Sequence, residues 1–168
     1  AFYESAGGTM YFGSNSGRIY KSKGKEITEL ANINPLLKNN RTIIKNLIVE
    51  NENTIWVGTD LGLYRLNPAS QQIENIVLFN EPNSYQSNVI NKLLMDAFNQ
   101  LWVGTSYGLY KINLWHHPLK HYKAGKNSGL SDNQINNIYK DAQGTLWVST
   151  GKGLAGIEKD APRGGRKP

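Results

Sequence analysis

Three sets of residues in this chain are of types that could do chemistry. His116, His117 and His121 fall within WHHPLKH, and histidines so close together could ligate a metal or act as a base. Adjacent histidines on a strand point to opposite faces, and no acid lies close in sequence, so WHHP reads as a surface loop or a contact to a neighbouring module. Glu50, Asp96 and Asp141 could supply a general acid and base, and Trp56, Trp102 and Trp147 could stack on sugar rings. Nucleophilic catalysis has no matching pattern. There is no cysteine, no Gly-x-Ser-x-Gly elbow and no phosphate loop of the Gly-x-x-x-x-Gly-Lys-Ser/Thr kind.

The acids and tryptophans recur, and that recurrence decides their role. Tyr11, Trp56, Trp102 and Trp147 stand 45, 46 and 45 residues apart, each inside a copy of one motif: GTMYFGSNSGRIYK, NTIWVGTDLGLYRL, NQLWVGTSYGLYKI and GTLWVSTGKGLAGI. Each acid precedes its tryptophan by six residues. A duty shared by every copy belongs to the scaffold, so the tryptophans are read as core residues between repeats and the acids as acceptors for backbone N–H groups in a turn.

Short apolar runs such as Leu101-Trp102-Val103 suit a strand covered on both faces. A four-residue turn closed by glycine follows (Thr59–Gly62, Thr105–Gly108, Thr150–Gly153), then a second strand. Upstream, Ile44–Glu50, Ile90–Asp96 and Ile135–Asp141 predict a further strand, for which the first copy offers only AFYES. Downstream, Glu26–Leu30, Ile73–Phe79 and Leu119–Tyr122 complete the set. Four short antiparallel strands per unit of this length predict an all-β chain of β-propeller blades. About four blades are expected, over roughly 1–35, 36–83, 84–128 and 129–160, with 161–168 as a flexible basic tail. A blade with one neighbour leaves a face and an edge uncovered, so three arrangements stand open: a fragment of a larger ring, a half-ring closed by a second copy, or a small ring.

The 168 residues carry a net charge of +6, but Arg163, Arg166 and Lys167 lie in the tail and the other cations are scattered among acids. A nucleic-acid face is therefore not expected. No run reaches the roughly 18 apolar residues of a membrane helix, and AFYESAGG lacks the pattern of a signal peptide.

The segment Gly129–Ile157, GLSDNQINNIYKDAQGTLWVSTGKGLAGI, resembles the two-component-regulator propeller repeat, with GL, then N-x-I-x-x-I-x-x-D, then G-x-LWVGT-x-x-GL. Asn88–Ile112 and Thr42–Leu66 resemble it nearly as well. The resemblance implies the periplasmic sensor region of a hybrid two-component system of the Bacteroidetes type. There, propellers precede a small β domain, a membrane helix and a kinase, the cue is commonly an oligosaccharide, and contact with a membrane comes only through the full-length receptor. Rings of seven blades are usual in that family. Streptogramin lyases are similar propellers, and that alternative implies a histidine base and a metal carboxylate across the central rim, whereas all three histidines here sit in one blade.

Function is then sought in what does not repeat. Turns between second and third strands share one rim of a propeller with the links to the next blade. On that rim the expected ligand-binding residues are Arg41, Asp60, Asn83, Tyr85, Ser106, Tyr107, Asn127 and Lys152. Amides, a guanidinium and phenols suit sugar hydroxyls and the apolar sugar face. The expectation is a non-catalytic glycan-binding sensor module with no cofactor and no metal. Its expected partners are an oligosaccharide or other envelope ligand, and neighbouring blades or a second copy. A protein-interaction scaffold is the alternative.

Overall fold

The computed structural model describes residues 1–38, 41–78, 89–114, 119–125 and 129–157. Within them the chain forms four separate antiparallel sheets. The first holds β1 (Phe2–Glu4), β2 (Met10–Gly13), β3 (Arg18–Lys23) and β4 (Glu26–Asn32), followed by a short helix α1 (Ile33–Leu36). The second holds β5 (Ile44–Asn51), β6 (Thr54–Thr59), β7 (Leu63–Asn67) and β8 (Gln72–Ile76). The third holds β9 (Ile90–Met95), β10 (Gln100–Thr105), β11 (Gly108–Asn113) and β12 (Leu119–Tyr122). Three strands of the fourth are described: β13 (Ile135–Lys140), β14 (Leu146–Thr150) and β15 (Gly153–Ile157). The first inner strand is short, as AFYES suggests, and β4 runs two residues past its expected end into α1, which the sequence pattern does not announce. The Asn32 side chain caps that helix by accepting from the Asn34 N–H at 3.2 Å.

The LWVGT motif can be read atom by atom. Threonine closes the hairpin: Thr59 Oγ1 donates to the Gly62 carbonyl and accepts from the N–H groups of Leu61 and Gly62. Thr105 and Thr150 repeat the donation to Gly108 and Gly153, and in the first blade the Ser14 hydroxyl accepts from the Arg18 N–H instead. The closing glycines adopt φ of +149°, +140° and +134° at positions 62, 108 and 153, a region L side chains avoid. At Gly108 a side chain would also meet His121 Nε2 at 2.5 Å.

The motif's other glycine governs how blades stack. A Cβ at Gly13, Gly58 or Gly104 would lie 2.3, 2.7 and 2.7 Å from the Cγ2 of Ile44, Ile90 and Ile135 respectively. Each glycine therefore opens a socket for the first isoleucine of the following inner strand. Valine on the opposite strand face, Val57 or Val103, is fully buried. The resulting core consists of three clusters, each lying between consecutive blades. Inner strands pack in succession, β1 and β2 on β5, β5 on β9, and β9 on β13.

Among the described residues the two terminal faces are uncovered. Trp56 and Trp102 are 3% and 7% exposed beneath the next blade, whereas Trp147 is 38% exposed. Leu63 and Leu109 are fully buried, but their counterpart Leu154 is 66% exposed. On the first blade Phe2 and Phe12 occupy the places of the buried Leu47 and Val57, and both are exposed. The expectation that the tryptophans are core residues thus holds for two blades, while Trp147 lacks a covering blade among the described residues.

Candidate functional site

The repeated acids hold the repeated tryptophans. Glu50, Asp96 and Asp141 each accept the indole N–H of the tryptophan six residues on, at 2.8, 3.0 and 2.8 Å. The second carboxylate oxygen of Asp96 accepts from the N–H of Phe98 and Gln100, and that of Asp141 from Thr145. Turn capping is therefore as expected for the two aspartates. In the second blade Asn51 takes it over, accepting from the Asn53 N–H. The indole bond was not legible in sequence, although the constant six-residue offset carries it. Asp141 is held below its usual carboxyl range, first by the Trp147 indole and then by the N–H groups of Thr145, Gly144 and Gln143. These acids are committed to the scaffold.

Turns and interblade links meet at one end of the sheets. Asp60 is locked in place there, its carboxylate accepting from the Ile43 N–H at 2.9 Å and its own N–H donating to the Ile43 carbonyl. Ser106 Oγ contacts Asn91 Nδ2 at 3.2 Å, and the same amide donates to the Ile135 carbonyl of the next blade. Asn46 likewise donates to the Asn91 carbonyl at 3.0 Å, so an asparagine chain joins three inner strands behind the rim. Tyr107 and Lys152 stand outward at the tips of their turns, and Arg41 is exposed in the link before β5. The structure brings Asp60, Ser106, Tyr107 and Lys152 to equivalent turn positions on successive blades; Asn83, Tyr85 and Asn127 lie outside the described residues.

His121 sits on β12 with its ring stacked on Tyr110, centroids 3.9 Å apart. Burial lowers its pKa, with the charge of Lys123 adding to the effect against a bond to the Tyr107 backbone. His116 and His117 lie outside the described residues. Among the described residues no group of three or more His, Cys, Asp or Glu side chains is placed to hold a metal ion, and no helix is long and apolar enough to cross a membrane.

At the other end of the sheets lies a cleft of about 480 Å³ between the third and fourth blades. Phe98, Gln100, Trp102, Lys111 and Tyr122 line it from one side, and Lys140, Gln143 and Thr145 from the other. The corresponding cleft between the first and second blades is lined by Tyr11, Lys21, Lys23, Val49 and Glu52 among others.

Antiparallel four-stranded sheets stacked face to face, with one inner strand from each packed in sequence, are the blades of a β-propeller. Two stretches of the chain, residues 84–107 and 129–152, match the family "Two component regulator propeller". Among solved structures, an extracellular domain of B. thetaiotaomicron, described for the hybrid two component system BT4673, is similar with a TM-score of 0.74 and 20% identity, over 95% of this chain and 21% of that one. The corresponding domain of BT3049 from the same organism gives 0.67 and 20% identity, over 96% and 20% of the two chains. PorZ, a surface component of the type-IX secretion system of Porphyromonas gingivalis, gives 0.66 and 18% identity, over 93% and 25%. The chain thus spans about a fifth to a quarter of the length of these structures. No curated protein matches the sequence significantly.

Proposed function

We propose that this chain is a non-catalytic recognition module from the extracytoplasmic sensor of a two-component receptor, and that a glycan binds its variable rim. The observation that carries the reading is the division of labour within each repeat. Acid, tryptophan, glycine and threonine are consumed by the scaffold in blade after blade. The two residues inside each hairpin turn, Asp60 and Leu61, Ser106 and Tyr107, Gly151 and Lys152, change from blade to blade on one rim. Family repeats and likeness to extracellular domains of two-component systems support the sensor assignment. Binding would act by favouring one packing of the receptor over another, by no more than the ligand's differential affinity for the two. A glycan array followed by calorimetry tests this. The Arg41→Ala/Tyr107→Ala double variant is expected to lose most glycan affinity while keeping its melting temperature, and unchanged affinity would sink the rim assignment.

A further inference from the structure

Three positions at which the third and fourth blades depart from the repeat converge on the cleft between them. Phe98 stands in the inner hairpin turn where the other blades have Gly7, Glu52 and Gln143, counting two residues on from Ser5, Glu50, Asp96 and Asp141. Tyr122, paired with Leu109, takes the place of Ile76, which pairs with Leu63. Lys140, just before Asp141, replaces Val49 and Met95. All three line the same cleft. By the logic that assigns repeated residues to scaffold, this convergence marks a site.

Among the described residues lining this cleft, two lysines stand against one carboxylate. In the second blade the cation beside the tryptophan strand, Arg65, lies opposite Glu74 and forms an ion pair with it. In the third blade the equivalent Lys111 lies opposite Lys120, and like charges directly across a ladder repel. The ammonium of Lys111 lies 4.9 Å from the Trp102 ring centre, that of Lys120 4.8 Å from Tyr122, and that of Lys140 5.5 Å from Phe98 on the facing blade. Asp96, the cleft's carboxylate, has its oxygens taken up by the Trp102 indole and two backbone N–H groups. An anion entering here would gain ammonium partners. Half-exposed Phe98 together with Tyr122 offers aromatic surface, and Gln100, Gln143 and Thr145 offer hydroxyl partners. The cleft volume is of ligand size.

We infer that this interblade cleft, on the rim opposite the variable turns, binds a saccharide unit bearing an anionic group. Lys111 and Lys140 take its carboxylate or sulfate, and Phe98 and Tyr122 take the apolar face of its ring. The inference rests on the reading of the propeller as a glycan-recognition module but assigns a separate site.

Calorimetric titration of the chain with α-1,4-digalacturonate, galactose 6-sulfate and neutral α-1,4-galactobiose tests it. At least one acidic probe should bind, more weakly as salt rises, and about tenfold or more tighter than the neutral one. Lys140→Val and Phe98→Gln install residues that the repeat itself uses at those positions, which favours a retained fold, verified by circular dichroism. Measured in the Arg41→Ala/Tyr107→Ala background, which removes binding at the rim, each should weaken acidic binding about tenfold. Which acidic probe binds separates carboxylate from sulfate. Absence of acidic binding, equal affinity for the neutral sugar, or full affinity in both cleft variants would overturn the site. Acidic-sugar binding that only the rim variant abolishes would overturn the cleft while leaving the recognition-module reading intact.

Discussion

Replacing Gly104 by alanine probes how this propeller holds its blades together. The new methyl would lie 2.7 Å from Ile135 Cγ2 and 3.1 Å from Ile138 Cδ1, well inside the roughly 3.5–4.0 Å optimum for carbon contacts. Both isoleucines are buried and β13 packs directly on β9 and β10, so relief requires the fourth blade to shift away. Overpacking of this kind costs about 1–3 kcal/mol. Removing a mid-strand glycine returns about 0.5–1 kcal/mol in backbone entropy. The clash therefore outweighs the gain, and Gly104→Ala should destabilise by about 1–2 kcal/mol. In an Ile135→Ala background Cγ2 is gone, and the same substitution should become neutral or slightly stabilising. Equilibrium urea unfolding of the four members of this cycle, followed by circular dichroism, measures the coupling. Since blades contact only their neighbours, hydrogen exchange should show the loss concentrated in β13–β15. If Gly104→Ala stabilises the wild type, or if the two substitutions are additive, the socket argument is wrong. Ser149, which already carries a Cβ at this position in the fourth blade, provides the contrast: Ser149→Gly should cost only the backbone term of about 0.5–1 kcal/mol.

The acid–indole bond predicts that Asp96→Ala destabilises by about 2–3 kcal/mol, because it strips three N–H groups of a charged acceptor and leaves the buried Trp102 indole unmatched. The same change at Asp141 should cost less, since Trp147 is partly exposed, and thermal melts of the pair test that order. Asp141 titrates below its ordinary range, so its folded form releases its proton more readily than its unfolded form. Its stabilisation is present above the unfolded value of about 3.9 and lost as pH falls through the lower folded value. Acid titration of the tryptophan emission should show this loss, and Asp141→Asn should remove it. His121 is likewise shifted down, by burial, so any contribution it makes is present above its unfolded value of about 6.5 and fades as pH falls below it, which His121→Phe should abolish in a melting series. Thr105→Val should cost about 1 kcal/mol by removing the hydroxyl that closes the β10–β11 turn.

Much of the fold was legible because the repeat is written in local chemistry. The period in the tryptophans, the apolar runs and the glycine-closed turns specify strands and hairpins within stretches of 14 residues, where neighbours in sequence are neighbours in space. The rim was legible for the same reason, since a hairpin turn must lie at an end of its sheet. The helix α1 was not, for its four residues carry no periodicity, and Asn32 with Asn34 reads equally as turn.

By itself, then, the sequence determined the blade: its four strands, its turns, and the residues set aside for scaffold. Tertiary structure decided what lies between blades. Sockets at Gly58 and Gly104, the open face around Trp147, and the cleft that joins Phe98, Tyr122 and Lys140 depend on sheets whose residues are far apart along the chain. No local pattern encodes how one twisted sheet seats on the next, so the site with the most distinctive chemistry appears only when the third and fourth blades are set side by side.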